Sequence, residues 1–593
     1  MGLRFAARIP PSARSALARH GFLVAWVLAA LFVLSTSVQL GELAHNFDEG
    51  LYIQQAALIR AGQRPYADFL EHQTPLYIYA LAAFSLPSPA SLFLHRLLSL
   101  LATAGTGLVV FHAGRRLTTT GAALVAQALF YFASLQQYGL LAIPNALMEL
   151  FVALGMFGAV FRDGRRAVGA GALALVASLL VKPLSLPAVL AAGLTVLAAH
   201  DRRRRLVPFV VAGLAAGVAA WAALHVASHG AFTELVRLQV SRISVKGGFH
   251  LLSHMSGLRT VAAARGVHTA IGWNLSEHRM AFLSNVPWNT GPELLVAAAC
   301  GALTLLRRAA AGTLPLHLAL VPVLWAVVPF VFSVFVWEPV WDHYFVQYLA
   351  PLSLLAAVAL RAAWIRGRPL IRGALALGLV VYVALGVVAR RIDVAWLARA
   401  HEIAAERRPL FTFDPLLAFV AGGAPACGTI DPLNVYGDYS AAALDAHGPL
   451  GRFKQTAADV IACLQRSPDV VIVVDGYFFW FADDPLCAYV AGADPDRVVL
   501  FSPDERLRWE ERAGSRRIGA DRMCGAEEEH PVAHESPSRP GVPGTRELAE
   551  QGAPGHQGRD DAASRITRPG HVVEHEEDAR PRRYAVNVPQ RAR

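Results

Sequence analysis

One short segment of this chain gathers residue types that do acid–base chemistry. It reads Asn46-Phe47-Asp48-Glu49-Gly50-Leu51-Tyr52, then Arg64-Pro65-Tyr66-Ala67-Asp68-Phe69, then Glu71-His72-Gln73-Thr74-Pro75-Leu76-Tyr77. Between Glu42 and Glu71 lie five acids (Glu42, Asp48, Glu49, Asp68, Glu71) against two bases, Arg60 and Arg64. A carboxylate at a membrane surface can take a proton from a hydroxyl or hold a cation. Loop acids are more often simply solvated. The weight shifts here because Asp48-Glu49 follows closely on an apolar stretch, residues 21–40, that would hold it at the surface. Glu71, His72 and the distant His343 are types that bind a divalent metal ion, but no tight ligand spacing joins them. Interface hydrogen bonding accounts equally well for both histidines.

The rest of the chain says what must position these groups. Of its 593 residues 54% are hydrophobic and only 17% charged, with mean hydropathy +0.40 and net charge +10. Soluble domains carry about 25% charged residues, so an ordinary soluble enzyme is excluded. No compact basic domain could present the positive charge to nucleic acid, and five cysteines are too few for a disulfide-dense scaffold. The expected fold is a polytopic α-helical membrane protein of about 11 spans, with a small C-terminal extracytoplasmic α/β domain and a disordered tail.

The spans fall on apolar runs at roughly 21–40, 92–113, 120–138, 145–161, 167–181, 184–200, 207–226, 291–306, 314–335, 344–360 and 371–389. Residues 1–20 carry four arginines and no acid. Arg115-Arg116, Arg162–Arg166, Arg202–Arg205, Arg307-Arg308 and Arg361–Arg372 form short basic connections, which the positive-inside rule places in the cytoplasm. Arg390-Arg391 violates the rule. The first outer loop is then 41–91, within a membrane domain of residues 21–390.

Residues 391–510 alternate β-rich runs (Val470–Val474, Val498–Phe501) with helical patches such as Thr456–Gln465, and predict the outer α/β domain. Cys427, Cys463 and Cys487 lie there in an oxidising location, with room for one disulfide. Residues 511–593 hold 14 Arg and 14 acids without apolar periodicity, and predict a disordered tail. In the outer loop 227–290, Phe232–Ser244 predicts an amphipathic helix with Phe232, Val236, Val240 and Ile243 on its apolar face.

The Asp-Glu pair after the first span, the Gly62-x-x-Pro65-Tyr66-x-Asp68 stretch and the motif ending in Pro75-Leu76-Tyr77 resemble the GT-C membrane glycosyltransferases. The similar group includes protein O-mannosyltransferases, aminoarabinose transferases and core galacturonosyltransferases. The resemblance covers residues 20–390, is strongest over 46–80, and is supported by Asp342-His343-Tyr344 through Pro351. It implies transfer of a sugar from a polyprenyl-phosphate carrier to an extracytoplasmic acceptor: a lipid, a cell-envelope glycan or a protein. By that resemblance Asp48 is the general base, with Glu49 its catalytic neighbour.

The carrier's phosphate needs cations at the interface. Candidates are Arg64, Arg96, Lys182, Arg237, Arg242 and Lys246, each of which also reads as a snorkelling residue. Lys182 stands out as the only charge in an apolar hairpin. Expected substrate contacts are Arg64, Tyr66, Glu71, His72, Lys182, Arg242 and His343. Gln73 and Thr74 stand where the family commonly has Lys and Pro, so a phosphate contact made there by relatives passes to Lys182 or an arginine. Some relatives bind a divalent metal, for which Glu71, His72 and His343 are the candidate ligands. Glu149 and Asn145 lie in the outer half of the fourth span, where a carboxylate suggests function and a helix cap is the equal alternative.

Two other classes fit the composition. A transporter would show related halves and mid-span charges, whereas here the acids sit in a loop. In a non-catalytic scaffold Asp48 would be replaceable. Arg-rich, Lys-poor usage points to the plasma or inner membrane of a high-GC bacterium.

Overall fold

The computed structural model describes residues 11–38, 40, 47–71, 73–84, 91–136, 140–242, 292–335, 342–367, 394–406, 408–421, 426–428, 456–475 and 484–501. The run at 371–389 and the tail at 511–593 lie outside the described residues.

Each of the other apolar runs is helical. The elements are α1 (Pro11–Ser37), α2 (Phe47–Arg60), α3 (Leu76–Phe84), α4 (Ser91–Leu117), α5 (Thr120–Gln136) and α6 (Asn145–Met156). They continue as α7 (Arg165–Val181), α8 (Leu186–Leu197), α9 (Arg202–Ala227), α10 (Ala231–Arg242), α11 (Pro292–Ala310), α12 (Leu316–Phe335) and α13 (Val346–Arg366). Among the described residues, five segments are long and apolar enough to cross a membrane: His20–Ser37, Leu92–Leu117, Arg202–Ala227, Leu316–Ser333 and Val346–Ile365. Helix α9 buries none of its apolar window in the protein, with Val207, Leu214 and Val218 all more than 60% exposed. Such a surface suits lipid and not water.

The helices pack closely where side chains are smallest. A Cβ on Gly171 of α7 would lie 2.4 Å from the Ala159 nitrogen and 2.8 Å from the Gly155 carbonyl oxygen. Only small residues allow that approach. Helix α6 ends in a π-helical turn, Phe157–Phe161. Buried Arg205 collects its loose carbonyls, donating to the oxygens of Ala159 (3.3 Å), Val160 (3.2 Å) and Arg162 (2.8 Å), and it pairs with Asp163 and Asp201.

Other basic clusters meet in the same manner. Arg308 donates to the Leu117 carbonyl (2.7 Å) and Arg361 to Thr118 Oγ1 (3.1 Å). His317, at the start of α12, lies with its ring centre 5.8 Å from that of His200, next to Asp201 in sequence. The short basic connections thus share one end of the bundle.

In α10 the buried face is Ala231, Phe232 and Leu235, packed on Tyr66 and Leu70 of the first loop; Val236 is exposed. Of the expected face, Phe232 is buried against the first loop and Val236 is not, while the side chains of Val240 and Ile243 lie outside the described residues.

The outer domain follows from α14 (Val394–Ala405). Its strands β1 (Leu410–Phe411), β2 (Val471–Val474) and β3 (Val498–Leu500) form a parallel sheet in that order, with Leu410 opposite Val471 and Ile472 opposite Val498. Both faces are covered, as parallel sheets require. Ile472 and Val474 pack on α16 (Ala457–Arg466) and α17 (Asp484–Ala491); Val471 and Val473 pack on α14 and α15 (Pro415–Val420). Thr456 and Asp459 make a reciprocal capping box on α16. Cys427 and Cys463 form a disulfide with Cα atoms 5.8 Å apart.

Candidate active site

Asp48 occupies the first turn of α2, where the positive end of the helix dipole favours a carboxylate. It is half-buried. Its charge acts on two neighbours, Lys182 and Tyr52. Lys182 sits in the turn between α7 and α8, 5% exposed. Its ammonium donates to Asn145 Oδ1 at 2.8 Å and lies 4.7 Å from the ring centre of Tyr344. Burial first, then the carboxylates of Asp48 and Glu71, push the Tyr52 hydroxyl well above its ordinary range, so it stays a phenol. Residues from four distant segments therefore converge: Asp48 and Tyr52, Asn145, Lys182, and Tyr344.

The loop between α2 and α3 closes over this group. Gln73 donates from its backbone nitrogen to Glu71 Oε1 at 2.7 Å, and its side-chain amide donates to the Tyr52 hydroxyl. Thr74 donates to the Leu179 carbonyl at 2.8 Å, tying the loop to the end of α7 just before Lys182. These are the two positions where the family pattern commonly has Lys and Pro. Here they brace the loop, and the cation near Asp48 is Lys182.

Glu49 has a different placement from the one expected of it. It is fully buried, and Arg96 meets it with Nε at 2.7 Å and Nη2 at 2.6 Å. The Ala142 backbone nitrogen donates to Glu49 Oε1 at 2.7 Å, and Arg96 Nη1 reaches the Leu40 carbonyl at 2.6 Å. A carboxylate committed to three donors fixes α2 against α4 and does not face a reacting hydroxyl. Arg96, 1% exposed, is likewise unavailable to a phosphate. An arginine inside an apolar span was the legible signal, since a charge at that depth needs a partner.

Tyr66, expected to touch substrate, is 1% exposed and has φ +64°, rare for a non-glycine residue. Its nitrogen donates to the Phe69 carbonyl at 2.7 Å, its hydroxyl to the Gln73 carbonyl, and its ring packs on Phe232. These contacts make it a shaping residue of the loop. With Arg64, Pro75 and Tyr79 it also lines a cleft of about 50 Å³ closed by Leu224 and Ser228 at the end of α9. Arg64 is exposed, with Asp68 at 3.6 Å.

The side chains of His72, Arg242 and His343 lie outside the described residues, as do those of Arg237 and Lys246. Among the described residues, no group of three or more His, Cys, Asp or Glu could hold a metal ion. Glu149 is buried one helical turn from Asn145, and its oxygens find no hydrogen-bond partner among the described residues.

No family profile matches the sequence, and no curated protein matches it. Solved structures do. The chain is similar to the Archaeoglobus fulgidus oligosaccharyltransferase in its apo form, at 13% identity and TM-score 0.44, over 69% of this chain and 64% of that one. It thus spans less than two thirds of that protein's length. It is also similar to ArnT from Cupriavidus metallidurans bound to undecaprenyl phosphate, at 17% identity and TM-score 0.41, over 81% of this chain and 89% of that one. A further match is the archaeal oligosaccharyltransferase AglB in complex with an inhibitory peptide and a dolichol-phosphate, at 13% identity and TM-score 0.45, over 70% and 65%.

Proposed function

We propose that this chain is a membrane glycosyltransferase that moves a sugar from a polyprenyl-phosphate carrier to a hydroxyl-bearing acceptor, with Asp48 as general base. The observation that carries the reading is the placement of Asp48, in the first turn of α2, within electrostatic reach of the buried Lys182 held by Asn145 and Tyr344, at the end of the bundle away from the basic connections. A carboxylate and a buried ammonium within electrostatic reach of each other suit the two demands of this transfer. The acceptor oxygen must lose a proton as it bonds to the sugar's anomeric carbon. The bond from that carbon to the carrier phosphate breaks, and its electron pair leaves with the phosphate. Asp48 takes the proton, and Lys182 faces the negative charge that grows on the phosphate. Asn145 and Tyr344 hold the ammonium in place.

The acceptor side is the extracytoplasmic one in this reading, because the arginine clusters mark the opposite end as cytoplasmic. The bacterial plasma membrane is the proposed location. His72 and His343 stay candidates for acceptor or metal contact, and Arg242, which ends α10, for the carrier. No step here runs through a metal ion.

The test is Asp48→Asn in membranes supplied with labelled undecaprenyl-phosphate sugars. Loss of transfer by about 100-fold or more is expected for a general base. Transfer at the wild-type rate would overturn the assignment.

A further inference from the structure

Helix α15 belongs to the outer domain by sequence, yet it packs into the membrane domain. Its Leu416 is 1% exposed and joins the apolar cluster that runs through the helical bundle. The surface it meets is α2, the helix that carries Asp48. A Cβ on Gly50 would sit 2.2 Å from the Leu416 nitrogen and 2.6 Å from its Cα, so only glycine fits against that backbone. One turn on, buried Gln54 donates to the Pro415 carbonyl at 3.2 Å.

From α15 the contacts run on into the sheet. Asp414 caps the helix, accepting from the nitrogens of Leu416 (2.9 Å) and Leu417 (3.3 Å). The Asp414 nitrogen donates to Thr412 Oγ1 at 2.9 Å, and Thr412 donates to Asp475 Oδ2 at 3.0 Å. Thr412 and Asp475 directly follow β1 and β2. A continuous line of short contacts thus joins the carboxyl ends of two strands to a point two residues from Asp48.

We infer that the outer domain is a working part of the active site: α15, through Gly50 and Gln54, sets where Asp48 stands. Gly50 and Gln54 are positioning residues, and the inference rests on the reading of Asp48 as base. A domain that merely capped the bundle could dock on any outer surface. This one grips the first two turns of the helix bearing the base, where a shift of about 1 Å can cost about 100-fold in rate.

The full-length protein in membranes tests this, with labelled undecaprenyl-phosphate sugar as donor and hydrogen exchange of the α2 peptide as a second readout. Gly50→Ala and Gln54→Leu should lower kcat by about 10- to 100-fold while donor KM changes by less than about 2-fold. Both should speed exchange in α2 and leave β2 protected. Ala57→Ser, on the exposed side of α2, should change neither quantity.

Gln54→Leu keeps the test decisive should Gly50→Ala fail to fold. Wild-type kcat in a folded Gln54→Leu protein with unchanged α2 exchange would overturn the inference. Wild-type transfer by Asp48→Asn would instead overturn the reading beneath it, and the two failures are told apart by which variant stays active.

Discussion

Arg96 and Arg205 are both buried and both hold a carboxylate and backbone oxygens, at opposite ends of the bundle. Their partners differ. Arg205 pairs with Asp163, 88% exposed, and Asp201, 29% exposed, and gathers carbonyls at the end of a π-helical turn. Arg96 pairs with Glu49, which is fully buried and sits next to Asp48. The first arginine ties connections together at a wet end, where Asp163 keeps most of its hydration and Asp201 part of it. The second fixes the helix that carries the proposed base in a dry one. A buried guanidinium serves as a topological staple across two carboxylates in one place and, held bidentately by a single carboxylate, as a support for the site in the other.

The comparison can be broken by substitution. The largest effect is expected for Asp48→Asn, a loss of about 100- to 10,000-fold in transfer with folding intact. Arg205→Leu should leave the rate per folded molecule unchanged, and equal losses in the two variants would erase the distinction.

Stability comes next. Arg96→Leu strands a buried carboxylate and should cost about 3–5 kcal/mol, read as a lower midpoint of thermal unfolding in detergent. Replacing Glu49 with Leu as well should recover most of that loss. Arg205→Leu should cost about 1–3 kcal/mol, because both of its carboxylates remain reachable by water.

Lys182→Met sharpens the contrast at the site end. Losing a charged donor worth about 1.5–3 kcal/mol should weaken undecaprenyl-phosphate binding by about 10- to 100-fold, measured by titration in detergent. Unchanged binding would remove Lys182 from the phosphate.

The smallest effect lies far from both ends. The Thr456 hydroxyl and backbone nitrogen hold the Asp459 carboxyl below its ordinary value. Its stabilising contribution is therefore present above the unfolded value, about 3.9, and is lost as pH falls through the lower folded one. Because Asp459 is exposed, the Asp459→Asn variant should differ from wild type by only about half a kcal/mol at neutral pH. The difference should vanish in acid, as unfolding curves at the two pH values would report.

Much of this arrangement is legible in the sequence because it is local. Apolar runs mark helices wherever a bilayer demands length, and arginine clusters mark the end they share. The Val470–Val474 run and the Thr456-led helix announce the outer domain. Lys182 stands out as a lone charge between two apolar helices, and the turn there buries it against Asn145 and Tyr344.

What stayed hidden depends on contacts between distant segments. Nothing near Glu49 signals that Arg96, 47 positions on, will claim it. Nothing near Gly50 signals a helix more than 360 residues away. Strand β1 has two residues, too few for any alternation to show.

Helix α9 has one further consequence, set by length alone. Its 26 residues span about 39 Å at about 1.5 Å each. With Arg202 to Arg205 left among the headgroups, about 33 Å remain for a hydrocarbon layer of about 30 Å. A tilt of about 25° absorbs the difference. Because α9 ends at the cleft beside Arg64 and Tyr66, a change in its tilt would reach the entrance to the first loop. Reconstitution in lipids of shorter and longer acyl chains should therefore change accessibility at Arg64 before it changes anything at the arginine-rich end.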